Sequence, residues 1–361
     1  MTKIASVGIG VPSHTLDQET VKSLVKKIFV NEKRMINRLL TVFENAAIQS
    51  RQFVVTHDWF ETTQDFKTRN DLYIKHAVDL SLIAIEDCLT NQSFLQKTVP
   101  ISDIDHIIFV SSTGIATPTI DVHIINRLPF RESISRTPLW GLGCAGGAIG
   151  ISHAHHILQA QPTTNVLLIC CELCSLTFQN NDIRKSNIVG TALFGDGASA
   201  ALLIGNKSHL NRYVQAKQTP SIKSTSSFTK RHTENVMGWN INTNGFNVIF
   251  SKRIPKLIHT LFKPHLEKFM GEHLLVNDDI DSFIAHPGGR KVLESMEEAC
   301  LIPSEKLRHS YDVLKNHGNM SSPTVLYVLR EWIKDSESKH RSILSALGPG
   351  FSSELLLLEW S

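Results

Sequence analysis

The chain repeats itself, and the repeat constrains the fold more than any other feature. Ile104-Asp105-His106-Ile107-Ile108-Phe109-Val110 reads as a buried strand, and Cys144 follows Ile104 by 40 positions, on a small-residue turn that opens a helix. Ile280-Asp281-Ser282-Phe283-Ile284-Ala285 reads the same way, and Asn319 follows Ile280 by 39 positions, on the turn His317-Gly318-Asn319-Met320-Ser321-Ser322 before the helical run Thr324 to Trp332. Each turn and helix leads into another apolar strand, Val166 to Cys170 in the first half and Ile343 to Leu347 in the second. Three elements in matching order and spacing indicate a duplicated α/β unit. The expected organisation is one half over residues 1–205 and a second over residues 206–361.

If the two copies pack face to face, Cys144 and Asn319 occupy equivalent turns. His286 lies just past the strand Ile280 to Ala285 and is followed by Pro287-Gly288-Gly289-Arg290, which ends the strand and presents the imidazole at a rim. Cys144 itself stands in Trp140-Gly141-Leu142-Gly143-Cys144-Ala145-Gly146-Gly147, where glycines permit a tight turn and the following helix N-terminus favours a thiolate. Read singly, these are a buried cysteine and a loop histidine. Read together, they supply a nucleophile, a proton-handling ring and an amide donor.

Five motifs in order, Gly143-Cys144-Ala145-Gly146-Gly147, Ala192-Leu193-Phe194-Gly195-Asp196-Gly197-Ala198, His286-Pro287-Gly288-Gly289, Gly318-Asn319-Met320-Ser321-Ser322 and Gly348-Pro349-Gly350, resemble those of type III polyketide synthases, the chalcone and stilbene synthase superfamily. The resemblance spans nearly the whole chain. It implies a thiolase-like five-layered αβαβα fold, a homodimer and a Cys144-His286-Asn319 centre that condenses malonyl-CoA onto an acyl-CoA starter. It also implies that Phe194 is a gate residue, that Thr177, Cys174 and Ser321 line the cavity, and that Gly348, Pro349 and Gly350 form a loop beside the reaction site. By the same resemblance Thr117 reaches across the dimer interface, and Arg38, Gly288 and Gly289 contact CoA.

Departures from the family pattern are equally informative. Counted back from Pro255, the second gate phenylalanine falls at Val248 and a small cavity residue at Trp239. Thr41 and Asn45 stand where the family carries cations that contact CoA. A looser gate and a rebuilt cavity argue against an aromatic starter and a chalcone product. The resemblance then points to the bacterial enzymes that extend fatty acyl-CoA to alkylpyrones or alkylresorcinols. Two alternatives stand beside this reading: a ketoacyl synthase that takes malonyl from a carrier protein, and a non-catalytic acyl-CoA-binding protein.

Composition narrows the classes further. With 361 residues and 42% apolar content the chain can bury a large core. A net charge of +3 is too slight to argue for nucleic acid. No apolar run reaches the roughly 18 to 20 residues needed to cross a bilayer, and the first residues enter a strand directly, so a cytoplasmic protein without membrane insertion is expected. Six cysteines make no disulfide framework. Cys171-Glu172-Leu173-Cys174 has CxxC spacing, but without a second pair it reads as strand packing, and neither metal nor cofactor is expected. No GxGxxG follows the first strand and no GxxxxGK[ST] occurs, which removes nucleotide-binding readings. Val21 to Phe43 carries helical spacing, Asp71 to Leu89 reads as a helix, and Gly195-Asp196-Gly197 reads as a hairpin turn before the strand Ala198 to Ile204. The polar stretch Asn206 to His232 reads as surface loops or a hairpin joining the halves.

Overall fold

The computed structural model describes residues 1–215, 219–335 and 339–360. Its strands are β1 (Thr2–Gly10), β2 (His106–Ser111), β3 (Ser135–Trp140), β4 (Asn165–Leu173), β5 (Asp196–Ile204), β6 (Pro220–Thr229), β7 (Ser282–Ala285), β8 (Arg341–Gly348) and β9 (Ser352–Trp360). They join in the order β7-β8-β9-β6-β1-β5-β4-β2-β3. The helices that matter for the site are α1 (Gln18–Ile28), α2 (Phe66–Thr90), α3 (Gly146–Ala160), α4 (Lys185–Leu193), α5 (Arg290–Cys300) and α6 (Thr324–Lys334).

The repeat is visible in the pairing. In the first half β2 runs parallel to β4, β4 antiparallel to β5, and β5 antiparallel to β1. In the second, β7 runs parallel to β8, β8 antiparallel to β9, and β9 antiparallel to β6. The halves meet where β1 pairs with β6, Thr2 opposite Ile222 and Lys3 opposite Ser221. The copies are not identical: β3 precedes the Cys144 turn, whereas a helix, Arg308–His317, precedes the Asn319 turn.

Strands buried on both faces explain the layers. Leu167 and Ile169 of β4 pack outward with Ala77, Ala84 and Ile85 of α2. The alternate residues Val166 and Leu168 face inward, into a central core shared with Ile151 of α3, Val325 and Leu329 of α6, and Leu344 and Leu356 of the other half. Ile343, Leu355 and Leu357 face outward again, against Leu293 and Met296 of α5 and the helix Lys263–Glu272. Helix, sheet, paired central helices, sheet and helix make the five-layered αβαβα fold. Glycine makes the centre possible: a Cβ on Gly147 of α3 would lie 2.4 Å from the Ser322 carbonyl oxygen. The two helices, and hence the two turns before them, can therefore approach closely.

Three expectations about local structure need correcting. Val21 to Phe43 is not one helix: α1 ends at Ile28, a 3₁₀ turn covers Val30–Glu32, and short helices cover Lys33–Leu39 and Thr41–Asn45. Weak helix formers at Val30 and Asn31 allow the break. Gly195-Asp196-Gly197 is not a hairpin turn. The Gly195 N–H donates to the Asn319 carbonyl, and Asp196 begins β5 with its carboxylate accepting from the Val54 and Ser175 N–H groups. The stretch Asn206 to His232 contains β6, which pairs with β9 from Pro220 to Thr229. Its hydroxyls find partners as well: Ser227 donates to Glu354 and Ser226 bonds to His265.

Candidate active site

Cys144 sits on a 3₁₀ turn, Gly143–Ala145, that runs into α3. Asn319 sits on the equivalent turn before α6, wholly buried. Its side-chain oxygen accepts from the Ser321 N–H at 2.7 Å, which fixes the amide, and stands 3.8 Å from the Cys144 sulfur. Nδ2 also lies 3.8 Å from the Cys144 sulfur and 3.2 Å from the Gly288 carbonyl oxygen. That carbonyl belongs to the loop His286-Pro287-Gly288, so the amide joins the cysteine turn to the histidine turn. His286 is anchored by its own N–H to the Ser345 carbonyl of β8 at 2.8 Å. Its ring is buried, and both ring nitrogens lack a hydrogen-bond partner. No protein group occupies either nitrogen, so both are free to meet a substrate oxygen.

The electrostatics differ from the thiolate expected from the sequence. Burial pushes the Cys144 thiol up to about 11, against the lowering effect of hydrogen bonds from Ser321 and Asn319. Burial likewise pushes the His286 imidazole down to about 3. Burial thus favours the neutral form of each group. Desolvation outweighs the helix N-terminus. A neutral imidazole has a lone pair that can accept the thiol proton as the sulfur attacks, a transfer that needs the two groups to be less desolvated than burial alone leaves them.

Glu172 ties the surrounding turns together. One carboxylate oxygen accepts from the Ser112 N–H at 2.8 Å and the Thr113 hydroxyl at 2.9 Å, the other from the Ser322 hydroxyl at 3.0 Å. The Ser112 hydroxyl in turn accepts from the Gly143 N–H at 3.1 Å. Burial pushes the Glu172 carboxyl up to about 7 despite these donors. Sequence reasoning missed Glu172 because it treated the CxxC that encloses it as packing.

Two spaces flank the centre. A narrow apolar channel with only about 40 Å³ of free space has Cys174, Thr177 and Phe194 in its wall, with Val248 beside them. Cys174 is near enough to Cys144 to affect its own ionisation, and Phe194 forms a backbone bridge with Asn319. The rest of the wall includes Val21, Leu24, Val25 and Ile28 of α1 with Phe53 and Phe60. A second pocket, a mouth of about 500 Å³, has Arg38, Gly288 and Gly289 in its lining. Thr41 and Asn45 line it too, but Lys185, Lys252, Arg290 and Lys291 bring cations from other segments. Of these, Arg290-Lys291 directly follows the His286 motif and was legible in the sequence; Lys185 and Lys252 were not.

The remaining candidates divide. Ser321 is buried against Asn319 with φ 61°. Gly348 and Pro349 pack on the cysteine turn: a Cβ on Gly348 would stand 2.5 Å from the Ala145 Cβ, and a Cβ on Gly143 would stand 2.9 Å from the Pro349 ring. Gly350 follows with φ 72°. Val248 is in the channel wall, and the ring that meets Phe194 is Phe250, at 6.4 Å in a T-shaped pair, two positions along the same strand. Trp239 lies opposite Val248 in the pair of strands Met237–Asn242 and Gly245–Phe250. Thr117 is exposed, outside both spaces, beside the edge strand β3. Cys171 is buried within β4, and among the described residues no group of three His, Cys, Asp or Glu side chains is arranged to hold a metal. Also among them, no helix is long and apolar enough to cross a membrane.

Comparisons with known proteins agree with this geometry. Residues 1–207 match the N-terminal domain of chalcone and stilbene synthases, and residues 222–360 match the C-terminal domain. A Bacillus subtilis (strain 168) protein bearing a chalcone synthase name is 42% identical over 100% of this chain and 99% of its own length. The 1,3,6,8-tetrahydroxynaphthalene synthase of Streptomyces peucetius subsp. caesius is 32% identical over 99% of this chain and 93% of its own. The crystal structure of the corresponding Streptomyces coelicolor A3(2) enzyme, described as a bacterial type III polyketide synthase, superposes with a TM-score of 0.88 at 26% identity, covering 99% of each chain. The chain is therefore a member of the chalcone and stilbene synthase family and an acyltransferase of the type III polyketide synthase class.

Proposed function

We propose that the protein loads a long-chain fatty acyl group from acyl-CoA onto Cys144 and extends it with malonyl-CoA to an alkylpyrone or alkylresorcinol. The observation that carries this reading is the Asn319 amide, which meets the Cys144 sulfur at 3.8 Å and the carbonyl of Gly288, two residues past His286, at 3.2 Å, with a cationic mouth at Gly288 and an apolar channel at Phe194. The mouth's cations suit the phosphates of CoA, and the apolar lining of the narrow channel suits a hydrocarbon chain, whose entry requires those side chains to part. A further point of support is the alpha-pyrone synthesis polyketide synthase-like protein of Mycobacterium tuberculosis, 28% identical over 99% of this chain.

Loading begins as the Cys144 sulfur attacks the thioester carbon and His286 takes the thiol proton. The proton passes to the departing CoA sulfur, and the acyl group stays on Cys144. Malonyl-CoA then loses carbon dioxide, leaving its bonding pair as an enolate whose oxygen is met by the Asn319 Nδ2 hydrogen not given to the Gly288 carbonyl and by a His286 N–H. The enolate carbon attacks the Cys144 thioester, forming the carbon–carbon bond and releasing the thiolate. Decarboxylation supplies the electron pair, so the sequence needs neither a redox cofactor nor a metal.

A homodimer, and the division into residues 1–205 and 206–361, belong to the same proposal. The edge strand β3 leaves Trp140 half exposed, and the segment bearing Thr117 runs alongside it, with the Trp140 indole donating to the Gly114 carbonyl. An unpaired edge of this kind invites a second copy.

The product assay decides between the readings. Acyl-CoAs of graded length are incubated with radiolabelled malonyl-CoA, with and without acyl carrier protein and with Cys144→Ala as control. Pyrones or resorcinols from free malonyl-CoA support the proposal; a single ketoacyl product that requires carrier protein, or no carbon–carbon bond at all, overturns it. Removing charge at the mouth gives a second check. Arg38→Gln combined with Lys185→Gln should raise KM for both CoA thioesters about 3- to 10-fold at low salt while kcat is retained, and the difference should shrink as salt screens the mouth.

A further inference from the structure

The C-terminal end of α4 exposes carbonyls that must find donors outside the helix. Each one does. The Gly190 carbonyl takes the Phe194 N–H at 2.8 Å, closing the last turn. The Thr191 carbonyl takes Arg51 Nη1 at 2.6 Å, and the Ala192 carbonyl takes Gln18 Nε2 at 2.9 Å. The Leu193 carbonyl takes the backbone N–H of Asn319 at 2.9 Å. One residue on, the Phe194 carbonyl accepts from the same Arg51 Nη1 at 2.7 Å. Arg51 Nη2 closes the circuit by donating to Gln18 Oε1 at 2.7 Å.

Both side chains of this circuit are buried, Arg51 completely. A guanidinium is costly to bury, and it is favoured here by the partial negative charge of the helix end and by Asp196 nearby. The chain makes room for it. A Cβ on Gly318, whose φ is +68°, would lie 2.6 Å from the Arg51 Cδ, and one on Gly195 would lie 3.4 Å from its Cβ. These glycines directly precede Asn319 and follow Phe194. Gln18 opens α1, whose Val21, Leu24, Val25 and Ile28 line the channel, and Arg51 stacks 5.4 Å over Phe53 of the same wall.

We propose that Arg51 and Gln18 form a positioning clamp that links the channel wall to the reaction centre, holding Thr191 to Phe194 so that Phe194 and Asn319 keep their register with Cys144 when a chain enters. The clamp touches no substrate. It acts through the helix end to which the Asn319 backbone is also bonded. The proposal rests on the condensing reading for its catalytic consequence, and the test includes a readout that does not.

The variants are Gln18→Met, Gln18→Glu and Arg51→Lys in the full chain. For Gln18→Met, the rate of carbon–carbon bond formation per acylated Cys144 should fall about 10-fold, with acyl loading and the KM for malonyl-CoA within about 2-fold of wild type, because misplacement of one donor slows the step that uses it. Arg51→Lys cannot span two carbonyls and Gln18 together and should fall about 100-fold. Gln18→Glu keeps the acceptor for Arg51 and should recover part of the loss. Independently of catalysis, amide hydrogen exchange at Phe194, Gly195 and Asn319 should quicken in Gln18→Met while β4 is unchanged. Equal losses in loading and condensation, or wild-type rates and unchanged exchange in Gln18→Met, would overturn the clamp. If Arg51→Lys does not fold, the Gln18 pair decides alone. If wild type forms no carbon–carbon bond, the functional reading fails and the exchange result still judges the clamp.

Discussion

Asn319→Ala should still accept an acyl group on Cys144 at close to the wild-type rate, while decarboxylation of malonyl-CoA slows by about 10²- to 10³-fold. The separation follows from geometry. Loading depends chiefly on the sulfur and on the neutral His286 ring that takes its proton. The enolate of the second step develops full charge on oxygen, and Asn319 Nδ2, held by Ser321 through the other end of the amide, is a preorganised donor for it. Stopped-flow loading and carbon dioxide release from malonyl-CoA, measured on one preparation, separate the two steps. Equal losses in both would contradict the division of labour.

Val25→Phe should cost about 100-fold in kcat/KM for a sixteen-carbon acyl-CoA and only a few-fold for a four-carbon one. Val25 is fully buried on α1 and lines the same channel as Cys174 and Phe194. A ring there blocks the path of a long chain without touching the thiol. Retained turnover of the short starter is the folding control. Uniform loss across chain lengths would place the acyl group elsewhere.

The parts of the site that were legible in the sequence are those with a local signature. Glycine turns before helices marked Cys144 and Asn319, and a strand broken by Pro287-Gly288 marked His286. The doubly buried strands stood out because both of their faces meet apolar layers. The channel was not legible, since its wall is gathered from α1, Phe53, Phe60, Phe178, α4 and Val248, each unremarkable alone. Strand β6 was hidden by its serines and threonines, whose polarity reads as surface until Glu354 and His265 are seen to satisfy them. Arg51 was hidden for a related reason. A lone cation suggests solvent, and only the fold shows that a helix end and a glutamine surround it. The burial that works against a Cys144 thiolate was not legible either, because a sequence displays the helix N-terminus but not the depth at which the sulfur sits.

The central claim is tested most directly by following one acyl group through the protein by mass spectrometry of the intact chain and its peptides. Wild type given a fatty acyl-CoA alone should gain a single acyl mass on the peptide containing Cys144, and adding malonyl-CoA should clear that mass into a product lengthened by two-carbon units. An acyl group found on another residue, or one released from Cys144 unextended, would contradict the account.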